Sequence, residues 1–352
     1  MARLRALRPA LGRGPITLAA LILILAAPQP AGAAITWVAR GAFADREFTS
    51  IVSPPGYPCV VAFTALGNGG LGLSTDCGVN FGTILTTNAY SVIAKSTDVG
   101  WVAAGSSGMV KTVNGGASWF AINNGLSPFR DARAITVHLA GPDTIYGGFH
   151  GDGVYVGRPA ADSTVSWTAM NNGLGDLNVR DLARVRGGSY FLAATDGGVW
   201  RWTNGSWSLS AGGLVANTLI IDSADSARCY AAGPGGVFKS LDAGQSFQPS
   251  SNGLPAGKAV NDIARRTDDP SILYVGTAGA GVYESLDYGA SWHPFGPPVP
   301  GDNDVRSVAA IVQESLSQAN IFAGTLKDGL FEAQYSTPVE PVTWGKLKAT
   351  YR

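Results

Sequence analysis

The stretch Ile272–Trp292, with the sequence ILYVGTAGAGVYESLDYGASW, contains the pattern on which the fold prediction depends. A short run of apolar and β-branched residues is followed by a glycine-rich turn, a second such run and the motif Ser-x-Asp-x-Gly-x-Ser-Trp. Runs of this composition, bounded by glycines, are typical of β-strands joined by hairpin turns. The stretch therefore predicts two paired strands and a structured turn that leads into another strand.

The same sequence pattern occurs seven times along the chain, and successive copies are 38 to 48 residues apart. The glycine that ends each hairpin turn marks the copies: Gly70, Gly108, Gly153, Gly198, Gly236, Gly281 and Gly329. Another apolar run precedes each copy, and a stretch led by an aromatic residue follows most of them, so each repeat predicts four strands, A to D from the axis outward. A single four-stranded sheet cannot bury both faces, whereas sheets packed around an axis can. We therefore predict an all-β fold, a seven-bladed β-propeller of four-stranded antiparallel blades.

The first 34 residues have the composition of a targeting segment. Residues 1–34 contain four arginines, a 12-residue apolar run at 16–27 and then small residues, which is the order of a secretory signal peptide. The run is shorter than the about 20 residues of a membrane-spanning helix, so we expect no transmembrane anchor after cleavage. This predicts a secreted or periplasmic protein with its propeller at 35–340 and a C-terminal strand or tail at 341–352.

Both ends of the chain contain a candidate for the outermost strand of blade 7. The two candidates are residues 35–37, Ile-Thr-Trp, and residues 342–344, Val-Thr-Trp. The N-terminal strand is favoured, because joining the two ends of the chain in one sheet closes the ring. The sequence leaves both alternatives open.

The turn between strands C and D contains the most regular motif of the repeat, Ser-x-Asp-x-Gly-x-Ser-Trp or a close variant. Its third position is Asp76, Asn114, Asp242 or Asp287, and its last position includes Trp119 and Trp292. A short Asp or Asn side chain accepts hydrogen bonds from nearby backbone amides in a turn, and the glycine permits left-handed backbone. These residues are therefore interpreted as structural. Blades 3, 4 and 7 lack the full motif.

These turns resemble the Asp-box, or BNR, repeats of bacterial sialidases, xyloglucan-hydrolysing glycosidases, the sortilin propeller and the photosystem II assembly-factor propellers. The resemblance covers nearly the whole mature chain and implies a structural role for the motif. Seven blades in one domain resemble the assembly-factor group most, since sialidases of this type have six blades and xyloglucan hydrolases use two propellers. The resemblance thus implies a binding scaffold rather than an enzyme.

Alignment of the A strands places seven residues at one equivalent position: Thr49, Tyr90, Arg133, Arg180, Asn217, Asn261 and Arg306. If this position faces the channel, three guanidinium groups join a polar ring at the channel mouth. Arginine is suited to binding a carboxylate or phosphate, so an anionic group of a ligand or partner is one candidate for this ring. The alternative is that the arginines pair with Asp181, Asp262 or Asp304 and line a hydrated channel.

The B-to-C loops contain His150, Asp152, Asp196, Lys327 and Asp328. Two carboxylates that flank a glycosidic bond would make a glycoside hydrolase, sialidase-like or xyloglucanase-like, if their separation is suitable. The alternative is that these residues are solvated loop tips. Three tryptophans in blade 4 likewise predict either a sugar-stacking platform or packing between blades: Trp200, Trp202 and Trp207.

Three cysteines are present in the chain. Cys59 and Cys77 lie nine residues on either side of Asn68, the centre of the first B-to-C turn, so a hairpin brings them together. In an oxidising compartment they are candidates for a disulfide. Cys229 falls in a B strand, where we expect it to be buried and inert.

Charge and composition exclude several classes of ligand. Without the leader, 21 basic and 25 acidic residues remain, whereas duplex-binding proteins usually present a basic stripe, so we predict no nucleic acid partner. The three histidines are scattered without a Cys/His cluster, so neither a metal nor a cofactor is predicted. We therefore predict a non-catalytic binding or assembly scaffold for a protein or glycan partner, with a glycoside hydrolase as the alternative. The oligomeric state is left open.

Overall fold

The computed structural model describes residues 34–335, except 42–44, 55, 58, 68–69, 129–130, 139–142, 161–163, 185–189 and 314–317. The described residues form 28 strands and contain no helix, so none of them belongs to a helix able to cross a membrane. The strands pair in seven antiparallel sheets of four, which confirms the predicted seven-bladed propeller. Residues 1–33 of the signal peptide predicted at 1–34, and the candidate strand at 342–344, lie outside the described residues.

Blades 1 to 6 each consist of four consecutive strands, beginning with the innermost strand A. Blade 1 contains β2 (Arg46–Val52), β3 (Val61–Gly67), β4 (Gly70–Ser74) and β5 (Gly82–Leu85). Blade 2 contains β6 (Ser91–Ala94), β7 (Gly100–Ala103), β8 (Met109–Thr112) and β9 (Phe120–Ala121). Blade 3 contains β10 (Ala132–His138), β11 (Thr144–Phe149), β12 (Gly153–Pro159) and β13 (Val165–Ala169).

Blade 4 contains β14 (Val179–Arg184), β15 (Phe191–Thr195), β16 (Gly198–Thr203) and β17 (Ser206–Gly212). Blade 5 contains β18 (Thr218–Ile221), β19 (Cys229–Gly233), β20 (Gly236–Ser240) and β21 (Gln248–Pro249). Blade 6 contains β22 (Val260–Arg265), β23 (Leu273–Thr277), β24 (Gly281–Ser285) and β25 (His293–Pro294). Blade 7 contains β26 (Val305–Gln313), β27 (Gln318–Thr325), β28 (Leu330–Tyr335) and, as its outermost strand, β1 (Ile35–Ala39).

The N-terminal strand therefore closes the ring, as the sequence favoured. Strand β1 pairs antiparallel with β28, and Trp37 lies opposite Ala333. Beyond the strand, the guanidinium of Arg40 donates to the carboxylate of Glu332, and both side chains are largely buried. Because β26 to β28 come from the other end of the described chain, this one sheet ties both ends of the propeller together.

The hydrophobic core lies between blades rather than within any one of them. Trp101 and Met109 of blade 2 pack in one buried cluster with Ile135 and Ile145 of blade 3. Tyr230 of blade 5 packs in another with residues of blade 6. Burial of a large apolar side chain contributes about 1.5–3 kcal/mol, so each interface between blades stabilises both of its blades.

The seven hairpin glycines found in the sequence all have positive φ: Gly70, Gly108, Gly153, Gly198, Gly236, Gly281 and Gly329. At Gly70, with φ of 103°, a Cβ atom would lie 1.8 Å from the carbonyl oxygen of Leu85 in the neighbouring strand. Both the backbone conformation and the close approach therefore require glycine there. This requirement explains why the glycines mark the repeat.

The Asp-box turns form the hydrogen bonds that their spacing predicted. In blade 6 the Ser285 hydroxyl accepts the N–H of Gly289 at 2.8 Å, and Asp287 accepts the N–H of Ser291 at 2.9 Å. Asp76, Asp242 and Asn114 accept the corresponding amide in their own turns. The predicted structural interpretation therefore agrees with their geometry.

One contact of these turns reaches the loop between strands A and B. The residue after the Asp or Asn has left-handed backbone, and its N–H donates to an A-to-B loop carbonyl in four blades: Cys77 to Cys59, Gly115 to Asp98, Ala243 to Ala227 and Tyr288 to Ser271. In blade 1 the two residues joined by this hydrogen bond are also joined by the disulfide Cys59–Cys77. The disulfide therefore cross-links a pair of positions that the repeat already brings together.

The propeller has two different ends, because successive strands run in opposite directions. We call the end with the A-to-B loops and Asp-box turns the Asp-box face, and the end with the B-to-C loops and the links between blades the mouth face. A short motif in those links was missed in the sequence: NNGL at 123–126 and 171–174, and SNGL at 251–254. The carbonyl of its second residue accepts the backbone N–H of Trp167, Trp207 or Trp292 in the next blade.

Candidate binding site at the channel mouth

A backbone irregularity places the polar ring in the channel. The pairing of strands A and B skips one residue in five blades, and the skipped residue is Thr49, Arg133, Arg180, Asn261 or Arg306. In blades 2 and 5 the aligned residues Tyr90 and Asn217 directly precede strand A. A bulge turns its extra residue out of the ladder, and here the skipped residues are those that line the channel.

All seven aligned residues line one cavity of about 420 Å³ at the mouth face. Six of them also line a larger cavity of about 820 Å³ that follows the A strands deeper into the ring. The two cavities therefore meet at this ring. The alignment of the A strands found the ring, and the structure shows that its side chains converge.

The three arginines of the ring are paired with carboxylates. Arg133 contacts Asp131 at 2.6 Å and stacks on the ring of Tyr90, with 3.9 Å between its guanidinium carbon and the ring centroid. Arg180 contacts Asp196 at 2.5 Å. These pairs are partly exposed, so each contributes little to the free energy of unfolding.

The third arginine joins the last blade to the first. Arg306 contacts Asp304 at 3.0 Å and Glu47 of blade 1 at 3.5 Å. The predicted pairing with Asp304 is therefore confirmed, whereas pairing of the ring arginines with Asp181 or Asp262 was wrong. Glu47 and Asp131 were missed, because each lies outside the aligned position.

Asp181 and Asp262 instead bind backbone amides in the channel wall. Asp181 accepts the N–H of Leu219 in blade 5 at 2.7 Å, and Asp262 accepts that of Val308 in blade 7 at 2.9 Å. Loss of hydration raises the pKa of Asp181 to about 6 and that of Asp262 to about 7, although these amides lower both. Asp181 and Asp262 each directly follow a residue of the ring. Their hydrogen bonds join blade 4 to blade 5 and blade 6 to blade 7.

Uncharged ring residues make similar contacts. Asn217 donates to the carbonyl of Val260 at 3.1 Å, and Asn261 donates to that of Val305 at 2.9 Å. Thr49 donates to the carbonyl of Ala89 at 2.9 Å. Each acceptor immediately precedes the aligned residue of the next blade, so these side chains both line the mouth and stabilise the ring.

The candidate acids of the hydrolase alternative are not all brought together. Asp196 lines the mouth cavity with His150, whose Nε2 lies 4.0 Å from its carboxylate. Asp152, Lys327 and Asp328 are not among the described residues that line it. Asp328 instead accepts the backbone N–H of Asp302 at 2.9 Å, so it has a structural contact of its own.

The tryptophans of blade 4 pack against one another and against blade 3. The rings of Trp202 and Trp207 have centroids 5.4 Å apart, and the indole N–H of Trp207 donates to the carbonyl of Met170. Trp200 belongs to the same cluster and donates to Thr195. The geometry therefore favours packing over the sugar-stacking alternative.

The remaining chemistry-bearing side chains are dispersed. Within the described ranges, no three His, Cys, Asp or Glu residues are grouped so that they could hold a metal ion. Cys229 is buried in β19 beside the hydroxyl of Tyr190, and its burial raises the pKa of its thiol to about 11. A neutral buried thiol is a poor nucleophile.

Comparison by sequence found no matching family model and no matching curated protein. Comparison by structure found similar propellers at low identity. YCF48 from Cyanidioschyzon merolae has a TM-score of 0.61 and 16% identity over 85% of this chain and 98% of that chain. A structure described as YCF48 bound to D1 peptide has a TM-score of 0.59 and 17% identity over 86% of this chain and 97% of its own.

An extracellular domain from B. thetaiotaomicron, assigned to a one component system, has a TM-score of 0.66 and 15% identity. That match covers 86% of this chain and 40% of the other, so this chain spans about two fifths of that longer protein. At these identities the comparisons show the fold. The protein is a seven-bladed β-propeller that resembles YCF48 and extracellular propeller domains of Bacteroides.

Proposed function

We propose that this protein is an exported, non-catalytic scaffold that binds a segment of a protein partner at the mouth of its channel. The observation that carries the proposal is the convergence of the seven aligned ring residues on one cavity. Small polar and charged groups in such a concave site can orient a bound ligand. No cofactor or metal is required for this role.

The ring offers both hydrogen-bond donors and acceptors. Arg133 and Arg180 are partly exposed beside their carboxylates, so a ligand carboxylate can exchange with Asp131 or Asp196. A free anion such as phosphate should bind less strongly, because the nearby carboxylates offset the charges of the arginines. An extended polypeptide, with its alternating N–H and C=O groups, suits this mixed lining better than a simple anion does.

Two further observations support this proposal. YCF48, whose structure was solved bound to D1 peptide, resembles this chain in fold. The disulfide Cys59–Cys77 suits an oxidising compartment, as does the signal peptide expected at 1–34. Together they favour an extracytoplasmic protein-binding role.

The proposal is tested by capture with mouth variants. Purified protein is immobilised and exposed to culture fluid or periplasmic extract, and retained proteins are quantified by mass spectrometry. We expect wild type to retain a partner that the double variant R133Q/R180Q loses. The matched control K95Q/R158Q removes the same charge away from the mouth and should retain it. Equal capture by all three proteins would contradict the proposal.

The hydrolase alternative needs its own assay. A panel of fluorogenic glycosides is incubated with wild type and with Asp196→Asn, which alters the one predicted B-to-C loop acid that lines the mouth cavity. We expect no turnover from either protein. Hydrolysis by wild type that Asp196→Asn abolishes would replace the scaffold proposal with an enzymatic one.

A further inference from the structure

A third cavity opens on the mouth face, beside the mouth cavity, and has a volume of about 660 Å³. We call it the blade-2 groove. It is lined by the link before blade 2, the B-to-C loop of that blade and the start of blade 3: Thr87, Asn88, Tyr90, residues 104–107, Asp131 and Arg133. Tyr90 and Arg133 also line the mouth cavity. A ligand at the mouth therefore lies next to the groove.

A glycine keeps the border between the groove and the mouth free of a side chain. Gly105 lies three residues before the hairpin glycine of blade 2, and His150 lies three residues before that of blade 3. The side chain of His150 lines the mouth cavity, whereas Gly105 has none. A Cβ atom at Gly105 would lie 3.0 Å from the ring of Tyr90 and 3.5 Å from a carboxylate oxygen of Asp131. Any larger residue would therefore crowd the border, which glycine leaves open.

Backbone hydrogen bonds hold this border in place. Gly105 and Ala132 form an isolated β-bridge, in which each N–H donates to the carbonyl of the other at 3.0 and 2.9 Å. The bridge fixes the loop of blade 2 against the first strand of blade 3. Arg133 stacks on Tyr90 directly beside it. The groove is therefore formed before a ligand arrives, which lowers the entropic cost of binding.

The groove offers hydrogen-bonding groups and almost no net charge. Its exposed polar side chains are those of Thr87, Asn88, Ser106 and Ser107. Hydroxyl and amide groups both donate and accept, so they match the N–H and C=O groups of an extended main chain. Among the described lining residues the only charges are Asp131 and Arg133, which pair with each other. An uncharged stretch of polypeptide therefore suits the groove better than an acidic or basic one.

A sugar suits the groove less well than a polypeptide does. Tyr90 is the only aromatic side chain among the described residues that line it. The guanidinium carbon of Arg133 lies 3.9 Å from the centroid of the Tyr90 ring, so this face of the ring is already covered. The groove therefore lacks the open aromatic surface on which a sugar ring would stack.

We propose that the protein segment bound at the mouth leaves it across Gly105 and continues along the blade-2 groove as an extended, uncharged stretch. The main chain of this stretch forms hydrogen bonds with the side chains of Thr87, Asn88 and Ser106. The inference rests on the function proposed above. It adds the direction in which the segment runs and the chemistry of the part that lies outside the mouth.

The path is tested by photo-crosslinking in the capture assay described above. A small diazirine amino acid, photoleucine, replaces His150 in the mouth, Thr87 in the groove or, as a control, Pro234 in the B-to-C loop of blade 5. After irradiation, mass spectrometry locates the crosslinked residues of the retained partner. We expect His150 and Thr87 to label one segment at sites no more than about ten residues apart, since an extended chain spans about 3.3 Å per residue. Pro234 is exposed and lines neither cavity, so its position should label nothing.

Binding of the labelled segment, made as a synthetic peptide, then measures what the groove contributes. Ser106→Trp fills the groove and should weaken binding about tenfold, whereas Pro234→Trp should leave it unchanged. Because tryptophan could disturb the loop of blade 2, Ser107→Lys offers a second variant, which places a charge in the groove and should also weaken binding. A shorter peptide without the residues labelled from Thr87 should bind wild type and Ser106→Trp equally.

The outcomes distinguish this inference from the function on which it rests. Labelling from His150 without labelling from Thr87, or from Thr87 at a remote segment, would overturn the path and leave the mouth function intact. Full binding of the peptide by both Ser106→Trp and Ser107→Lys would do the same. If no partner is captured and His150 labels nothing, the proposed function and the path both fail.

Discussion

The mouth face and the Asp-box face belong to the same blades but are stabilised differently. On the mouth face, side chains reach from one blade to the next, as Asn261 does to the carbonyl of Val305 and Asp262 does to the N–H of Val308. On the Asp-box face, the hydrogen bonds of the motif itself close a turn within one blade, as those of Ser285 and Asp287 do. Side chains of the preceding blade add to them, since Tyr230 and Lys239 both donate to the Tyr288 carbonyl. The hydrogen bonds at the mouth join blades and differ from blade to blade, whereas those of the Asp-box motif recur in several blades. Variation at the mouth is therefore compatible with both ring stability and ligand selection.

The pKa values of the aspartates in the Asp-box turns and in the channel wall are shifted in opposite directions. Hydrogen bonds within the turn, opposed by burial, hold the pKa of Asp242 and Asp287 at about 2, below the ordinary value of 3.8. Burial raises the pKa of Asp181 and Asp262. The turns therefore stabilise the ionised form of their aspartates, and the channel wall stabilises the protonated form.

The largest effect is expected at the disulfide of the Asp-box face. Replacing Cys59 and Cys77 by serine should lower the free energy of unfolding by about 3 kcal/mol, because the unfolded chain loses a closed loop. Urea unfolding of wild type and the double variant measures the difference. A difference below about 1 kcal/mol would show that the backbone hydrogen bond alone holds these loops together.

The same comparison extends to blade 6. Ser271 and Tyr288 occupy the positions of Cys59 and Cys77, and the Tyr288 N–H donates to the Ser271 carbonyl at 2.9 Å. The double variant S271C/Y288C should therefore form a disulfide under oxidising conditions, detectable as a mass decrease of two hydrogens. The single variant S271C is the control. If three free thiols persist after oxidation, the two introduced ones and that of Cys229, then blades 1 and 6 differ at this position.

A smaller effect is expected for Ser285→Ala in the Asp-box turn. Ser285 is fully buried, and its loss leaves the Gly289 N–H without an acceptor, so the free energy of unfolding should fall by about 2 kcal/mol. Ser208→Ala, on the exposed outer strand of blade 4, should change it by less than about 0.5 kcal/mol. If both variants unfold at the same urea concentration, the turn does not stabilise its blade.

The channel acids predict a decline in stability toward neutral pH. The folded protein retains protons on Asp181 and Asp262 that the unfolded chain releases above a pKa of 3.8, so the free energy of unfolding should fall as pH rises from about 4 through about 7. The variant D181N/D262N should flatten this decline in urea unfolding across that range. Asn217→Ala removes a hydrogen bond between blades that involves no titrating group. It should therefore lower the free energy of unfolding by the same amount at every pH in this range. An unchanged slope in D181N/D262N would contradict the assignment.

The smallest effect on stability is expected for the exposed arginines of the mouth. Arg180→Gln removes a partly exposed pair with Asp196 and should change the free energy of unfolding by less than about 1 kcal/mol. Its effect on partner capture should be large by comparison. A loss of several kcal/mol would instead assign Arg180 chiefly to the structure.

The repeat itself was predictable from the sequence because its requirements are local. A left-handed glycine at Gly70, or an Asp-box residue such as Asp287, is specified by neighbours only a few residues away. The alignment also identified the ring, since Arg180 and Arg306 occupy equivalent places in their repeats. Of the ion-pair partners, Asp304 was predicted, and Asp131 was missed although it lies only two residues from Arg133. Asp196 reaches Arg180 through the B-to-C loop of blade 4, and Glu47 reaches Arg306 across the closing point of the ring.

Sequence alone thus determined the number of blades, the strands and the positions that face the channel, because spacing along the chain governs hairpins and turns. Tertiary structure decided that Glu47 of blade 1 pairs with Arg306 of blade 7 and which terminal strand closes blade 7. These features depend on distances between blades that are remote in sequence, and such distances follow only from how the whole ring closes.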